Sequence, residues 1–283
     1  MSKYRIIKNE EGKEAIFDIE TNRQVSKWWN IIHADMLYSC KSQYYIATND
    51  QQQDAIFHID NPNDPITQWW KIVYLYGLAQ GESKYYRVKN QEDKVAIFHK
   101  DNPKEPISQW WESIDPAGLL QGESEYYIAQ NDENECAIFH INNPNKPISQ
   151  WWHRIKQHGL IKGQSEYYMV YFNSKYAIFH KDNPEQPISQ WWDKIYEDGC
   201  LKGESDYYIV KNQEKQYAIF HINNPYEPIS QWQNYIYSDE FLKGESEYYI
   251  VQNHNSQKAI FHKDNPYNPI SQWWDSIDKN GLI

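Results

Sequence analysis

The chain is sparing with cysteine, methionine and glycine, which number three, three and eleven among 283 residues. Cys40, Cys136 and Cys200 fall at different phases of the pattern described below, so they form neither a disulfide framework nor a metal-ligand spacing and read as incidental thiols. No apolar run approaches the roughly 18 to 20 residues of a membrane-spanning helix, and the opening Met1-Ser2-Lys3-Tyr4-Arg5 lacks a signal-peptide core. The expectation is a soluble, cytoplasmic protein with no membrane partner. Cations are scarce too: 28 Lys and Arg stand against 39 Asp and Glu, a net charge of -11. Nucleic acid is excluded on this ground, because affinity for it rests largely on neutralising phosphates. A Gly-rich phosphate loop, His-Glu-x-x-His and Gly-x-Ser-x-Gly are all missing, which removes the common sequence signatures of catalysis.

What the chain has in abundance is repetition. The Ala of an Ala-Ile-Phe triplet recurs at Ala15, Ala55, Ala96, Ala137, Ala177, Ala218 and Ala259, at intervals of 40, 41, 41, 40, 41 and 41 residues. A fixed period of this length marks a repeat architecture. Seven copies follow, over about 2–41, 42–82, 83–123, 124–164, 165–204, 205–245 and 246–283, and the reading is one array with no segment left for a separate catalytic domain. Copies three, five and seven read His-Lys-Asp-Asn-Pro, whereas two, four and six read His-Ile-Asp/Asn-Asn-Pro, so the array is built of double units. Copy one departs at Asp18 and Asp35-Met36, as a terminal cap does.

Within a copy, Tyr126-Tyr127-Ile128-Ala129, the polar run 131–135 and Ala137-Ile138-Phe139-His140 read as a β-hairpin. Adjacent aromatics on a strand point to opposite faces, so the Tyr-Tyr and Trp-Trp doublets imply sheets covered on both sides. The segment from Ile148 to Ile155 admits a short helix capped by Ser149 and ended by Gly159, or a third strand. The third strand is preferred, since Pro116 in copy three follows Ile114 where a helix interior would lose a hydrogen bond. The fold class expected is all-β: a seven-repeat β-propeller, with an open β-solenoid or superhelix of hairpin repeats as the alternative.

The run from Gly159-Leu160 through Ser174-Lys175-Tyr176-Ala177-Ile178-Phe179 resembles the bacterial WG-type β-repeats. The Trp-Gly dipeptide of that family is absent here, and Asn-Pro-x-x-Pro-Ile-Ser-Gln-Trp-Trp is not part of it. The resemblance implies an all-β repeat and nothing about a ligand.

All 13 tryptophans belong to the Trp-Trp motif. The first of each pair reads as a core anchor. The second, at Trp70, Trp111, Trp152, Trp192 and Trp274, is a candidate for binding, and Gln233 at that place in copy six marks a position that tolerates water. Beside these stand the loop asparagines Asn102, Asn143, Asn183, Asn224 and Asn265, and the loop acids Glu82, Glu123, Glu204 and Glu245. The periodic histidines, His58, His99, His140, His180, His221 and His262, read as turn-fixing groups rather than ligands, so no metal and no cofactor are expected. Single-copy residues such as Asp115, Arg154 and His158 read as scattered turn positions, and general acid/base chemistry needs two groups in unlike environments, which near-identical copies do not offer.

The functional expectation is a non-catalytic repeat protein that binds another, basic protein through acidic, aromatic-rich loop rows, an inhibitor or immunity-type protein being one version. The alternative is a multivalent carbohydrate-binding lectin with one site per repeat.

Overall fold

Aromatic and β-branched residues on either side of a polar turn do form the hairpin in every copy. In the computed structural model, which describes residues 3–39 and 41–277 with Met36 by its backbone alone, seven small antiparallel sheets follow one another along the chain. Ser2, Cys40 and Gly281-Leu282-Ile283 lie outside the described residues, as does the side chain of Met36. The first sheet has two strands, Tyr4–Lys8 and Glu14–Asp18, and the other six have three. The protein is thus all-β with a blade-like sheet per copy. Two compact units divide it, residues 1–134 with 138–147 and residues 135–137 with 148–283.

Copy three shows how the sequence produces the hairpin. Tyr85–Lys89 pairs with Val95–His99, with Val88 opposite Ala96 and Tyr86 opposite Phe98. Between them Asn90 Oδ1 accepts the backbone N–H groups of Glu92 and Lys94 at 3.0 and 2.9 Å, and Asp93 takes φ 65°. The asparagine side chain mimics a backbone turn, which is why that residue type recurs there. Copy five replaces this turn by Asn173 and Ser174, both at positive φ, in a two-residue connection that lengthens the strands to Tyr167–Phe172 and Lys175–His180. One of the two short intervals in the period is explained by that deletion.

The third strand exists, at the end of the expected segment, as Arg154–Ile155 in copy four. Trp110 is outside regular structure and Trp111 makes an isolated bridge to Val95; the strand proper is Ser113–Asp115, and it pairs with Tyr126–Gln130 of the following copy. Copies one to six therefore each donate an edge strand to the successor's sheet. On the far edge, Pro106 to Trp111 runs antiparallel to Val95–His99: Ile107 N–H donates to the Ile97 carbonyl at 2.8 Å, and Trp111 and Val95 exchange both bonds at 2.9 and 2.8 Å. Between these contacts Ser108 Oγ accepts the Ile97 N–H at 2.9 Å and donates to the Gln109 carbonyl at 2.8 Å, so a hydroxyl completes a ladder that the backbone leaves open. Proline is tolerated here because the edge needs no further donor.

A helical turn follows the edge strand, beyond the Ile148 to Ile155 segment for which a helix was the alternative. Gly159 begins the turn Gly159–Lys162, and Gly163 closes it in the left-handed conformation at φ 67°. A side chain on Gly159 would start 2.2 Å from the Tyr167 carbonyl oxygen, so close backbone approach as well as φ 67° demands glycine. Asp115 and Arg154 also prove to be strand residues, not turn residues.

The core lies where one copy's edge strand and helical turn meet the next hairpin. In the first unit Val73, Leu78 and Ala79 pack with Tyr86, Val88, Ala96 and Phe98 against Ile46 and Ile56. In the second, Ile195, Cys200 and Leu201 pack with Tyr208, Val210, Ala218 and Phe220 against Met169 and Ile178.

Candidate binding surfaces

Every sheet has two ends, and the chemistry of each is set by which loops arrive there. At the hairpin-turn end are the tryptophans. Trp70 packs on Phe98 of the next copy at 5.1 Å and on that copy's first tryptophan, Trp110, at 5.6 Å, while Tyr86 stacks on Phe98 at 5.6 Å and 19°. The same set recurs as Trp29, Phe57, Trp69 and Tyr45, and as Trp192, Phe220, Trp232 and Tyr208. The second tryptophan is thus the ring that joins a copy to its successor. Trp70, Trp111, Trp152 and Trp192 are accordingly half-buried, and only Trp274 is exposed, at 52%. The indole N–H groups of Trp29, Trp70, Trp152 and Trp192 are buried without an acceptor, a cost that ring packing offsets.

Over these rings open two clefts at one phase of the repeat. The first, of about 420 Å³, is walled by Trp69, Trp70 and Trp110 and edged by Gln53, Gln91 and Glu92. The second, of about 400 Å³, is walled by Trp191 and Trp192 and edged by Gln190, Gln213 and Glu214. Ion pairs fix the turns nearby: Lys71 Nζ meets Asp93 at 2.7 Å, Lys13 meets Asp50 at 2.9 Å, and Lys94 is held by both Glu112 and Asp132. Lys71 and Lys89 hold the Asp93 carboxyl below the usual carboxylate range.

At the opposite end the two polar loops converge. His58, His99, His140, His180, His221 and His262 each accept, at Nδ1, the backbone N–H two residues on, at 3.1–3.2 Å. With Nδ1 an acceptor, the neutral ring carries its proton on Nε2, which stands 3.1–3.3 Å from Glu125, Glu166 and Glu247 in copies four, five and seven. The histidine thereby ties the Asn-Pro loop to the loop that precedes the hairpin. Asn102, Asn143, Asn183, Asn224 and Asn265 are exposed on the first loop, and Glu82, Glu123, Glu204 and Glu245 are exposed on the second. Successive acidic loops touch: a side chain on Gly122 would begin 3.0 Å from the Glu82 carbonyl, and one on Gly244 at the same distance from that of Glu204. The glutamates therefore form rows along one edge of each unit.

The second tryptophan and the loop asparagine of a copy are not brought together. Trp111 bridges Val95 and Asn102 bridges His99, at opposite ends of a five-residue strand, about 13 Å apart at 3.3 Å per residue. One trio, Glu166, His180 and Asp182, brings three ligand-type atoms within 4.8 Å, but Lys181 Nζ already lies 3.2 and 2.9 Å from the two carboxylates and holds both below their ordinary range. Every carboxylate with a resolved shift, Asp18 and Asp132 included, is lowered in the same way by hydrogen bonds.

Arg87 is the residue that sequence reasoning passed over. It stands where other copies bury Ile46, Ile128, Met169, Ile209 or Ile250, its guanidinium 3.8 Å from the Tyr74 ring and Nη1 donating to the Ile114 carbonyl at 2.5 Å. The signal was present, as a cation at a position that the other copies fill with Ile or Met.

No family model matches the chain, and no curated protein matches it. Among solved structures it is similar to Kluyveromyces lactis Hsv2, at 11% identity and a TM-score of 0.36, covering 93% of this chain and 87% of that one. It is likewise similar to the computationally designed Ika8 protein, at 5% identity and 0.36, covering 98% and 85%, and to a eukaryotic initiation factor, at 10% and 0.34, covering 97% and 86%. No residue role is carried over from them.

Proposed function

We propose that this chain is a non-catalytic repeat protein that docks a basic partner protein on its acidic loop end. The observation that carries the reading is the convergence there of two loops that are some 15 residues apart in sequence, presenting Glu82, Glu123, Glu204 and Glu245 in rows beside exposed asparagines. Among described residues none of these four glutamates is paired with a cation, which leaves their field directed at solvent, where it can steer a cationic surface. In copies six and seven the Asn-Pro loop adds Tyr226 and Tyr267, 76% and 73% exposed, the residue type that dominates protein-binding hot spots. An inhibitor or immunity-type role fits a rigid, multivalent acidic face of this kind.

The test uses the full chain as bait in extracts of its native cells, followed by association kinetics of the captured partner at low and high salt. Reversing Glu82, Glu123, Glu204 and Glu245 to Lys should slow association several-fold while circular dichroism stays unchanged. An unchanged association rate, insensitive to salt, would sink the reading.

A further inference from the structure

We infer that the two tryptophan-walled clefts at the hairpin-turn end are binding sites for the ring of a neutral sugar, separate from the acidic loop end. They occupy the same phase of the repeat three copies apart, and their volumes of about 420 and 400 Å³ fall within the roughly 300–1,000 Å³ of small-ligand sites. An indole face complements the C–H face of a pyranose, and side-chain amides and carboxylates can both serve its hydroxyls. The first cleft supplies both kinds of group: Trp69, Trp70 and Trp110 on the walls, Gln53, Gln91 and Glu92 at the rim. In the second, Trp191 and Trp192 take the walls and Gln213 and Glu214 the rim.

Charge decides among ring-shaped or cationic ligands. Tryptophan walls with a carboxylate could also cage a quaternary ammonium. Here, however, Lys71, paired with Asp93, lines the first cleft with Glu92, and Lys175 lines the second with Asp193 and Glu214, so each rim carries a cation beside its carboxylates and amides. A neutral, hydroxyl-bearing ligand uses both signs; a cation would meet an ammonium. The rims are held in place without the ligand: Asn90 Oδ1 accepts two backbone N–H groups within its turn, and Asn212 Oδ1 accepts that of Gln216 at 2.9 Å. The Asn212 amide nitrogen also donates to Gln216 Oε1 at 3.3 Å, which further fixes that rim. Shallow sites of this kind bind weakly alone and gain from being two on one chain.

The experiment probes the full chain on a panel of immobilised neutral, acidic and amino-sugar oligosaccharides, with choline and trimethyl-lysine peptide as cationic controls. The variant is Gln91→Ala, Glu92→Ala, Gln213→Ala and Glu214→Ala combined, four exposed turn positions whose loss leaves the packed rings in place. Binding to at least one neutral glycan, reduced ten-fold or more by the fourfold variant and unaffected by the glutamate reversals at the loop end, is the expected result. Either half of the fourfold variant, made alone, should retain single-site binding and lose the avidity. The inference is overturned if the folded chain binds no glycan, if the fourfold variant binds as well as the parent, or if only the cationic probes bind.

Discussion

The junction between copies two and three and that between copies six and seven differ by one ring. At the first, Trp70 lies between Phe98 and Trp110 at 5.1 and 5.6 Å. At the second, Gln233 stands in the tryptophan's place, Phe261 meets Trp273 at 6.1 Å, and Trp273 and Trp274 are 36% and 52% exposed. The second tryptophan of a copy is therefore a part of its successor's core. Where it is missing the next tryptophans are wetter, and Trp274 shows what the ring looks like without such packing.

The largest effect should come from high pH, which attacks what both junctions share. Burial pushes the hydroxyls of Tyr45, Tyr86, Tyr127, Tyr168, Tyr208 and Tyr249 up from the ordinary value of 10.0. A raised pKa means that the folded chain holds its protons longer than the unfolded one, so this stability is complete below pH 10 and is lost as pH climbs above it. The Cys200 thiol, raised from 9.0 to about 12 by burial, adds in the same direction. Tyrosinate absorbance and circular dichroism should change together in one alkaline transition; inner tyrosines that ionise while the fold persists would refute their burial.

Next in size, Trp70→Ala removes the joining ring and should cost about 3 to 5 kcal/mol, as large aromatic truncations in cores do. Trp274→Ala should cost less than about 1 kcal/mol. Urea unfolding of the pair breaks the comparison if the two losses are equal.

A smaller difference is expected at the ladder hydroxyl. Ser108→Ala leaves the buried Ile97 N–H without its acceptor and should cost about 1 to 3 kcal/mol, since Ser108 is 3% exposed. Ser271→Ala breaks the equivalent bond to Ile260 where Ser271 is only half-buried, and the loss should be smaller because water can substitute. Thermal unfolding of both variants measures it.

The smallest effect is a gain. Gln233→Trp restores the absent ring against Phe261 and Trp273 and should stabilise by about 1 kcal/mol, with Trp273 fluorescence shifting to the blue as its ring dries. No gain in urea midpoint would show that the last junction is set by something other than ring packing.

Much of this was legible from residues alone. The hairpin followed from Tyr-Tyr-Ile-Val, a polar turn and Ala-Ile-Phe-His, because strand formers flanking a turn have few other local solutions. The histidine's turn-fixing bond followed from its place before Asp/Asn-Asn-Pro. The Trp-Trp segment was only partly legible because its partners are two: its backbone bonds to its own hairpin while its second ring packs on the next one, and a periodic sequence does not say which neighbour a side chain chooses. That Gly159 opens a helical turn was not legible, because the Tyr167 carbonyl, 2.2 Å from where its side chain would start, is brought there by packing. Which candidate residues share a surface was not legible, since Trp and Asn lie close in each copy's sequence but at opposite ends of a strand.

The sequence by itself determined the repeat, the strand identities, the excess of acidic charge and the turn chemistry, because each of these rests on interactions within about ten residues. Tertiary structure alone decided that an edge strand belongs to the following sheet, that the second tryptophan is an inter-copy ring, and that acidic loops and tryptophan clefts face opposite ends. Those outcomes depend on which surfaces meet across some 40 residues, and in a chain whose copies are nearly alike only packing in three dimensions distinguishes one neighbour from another.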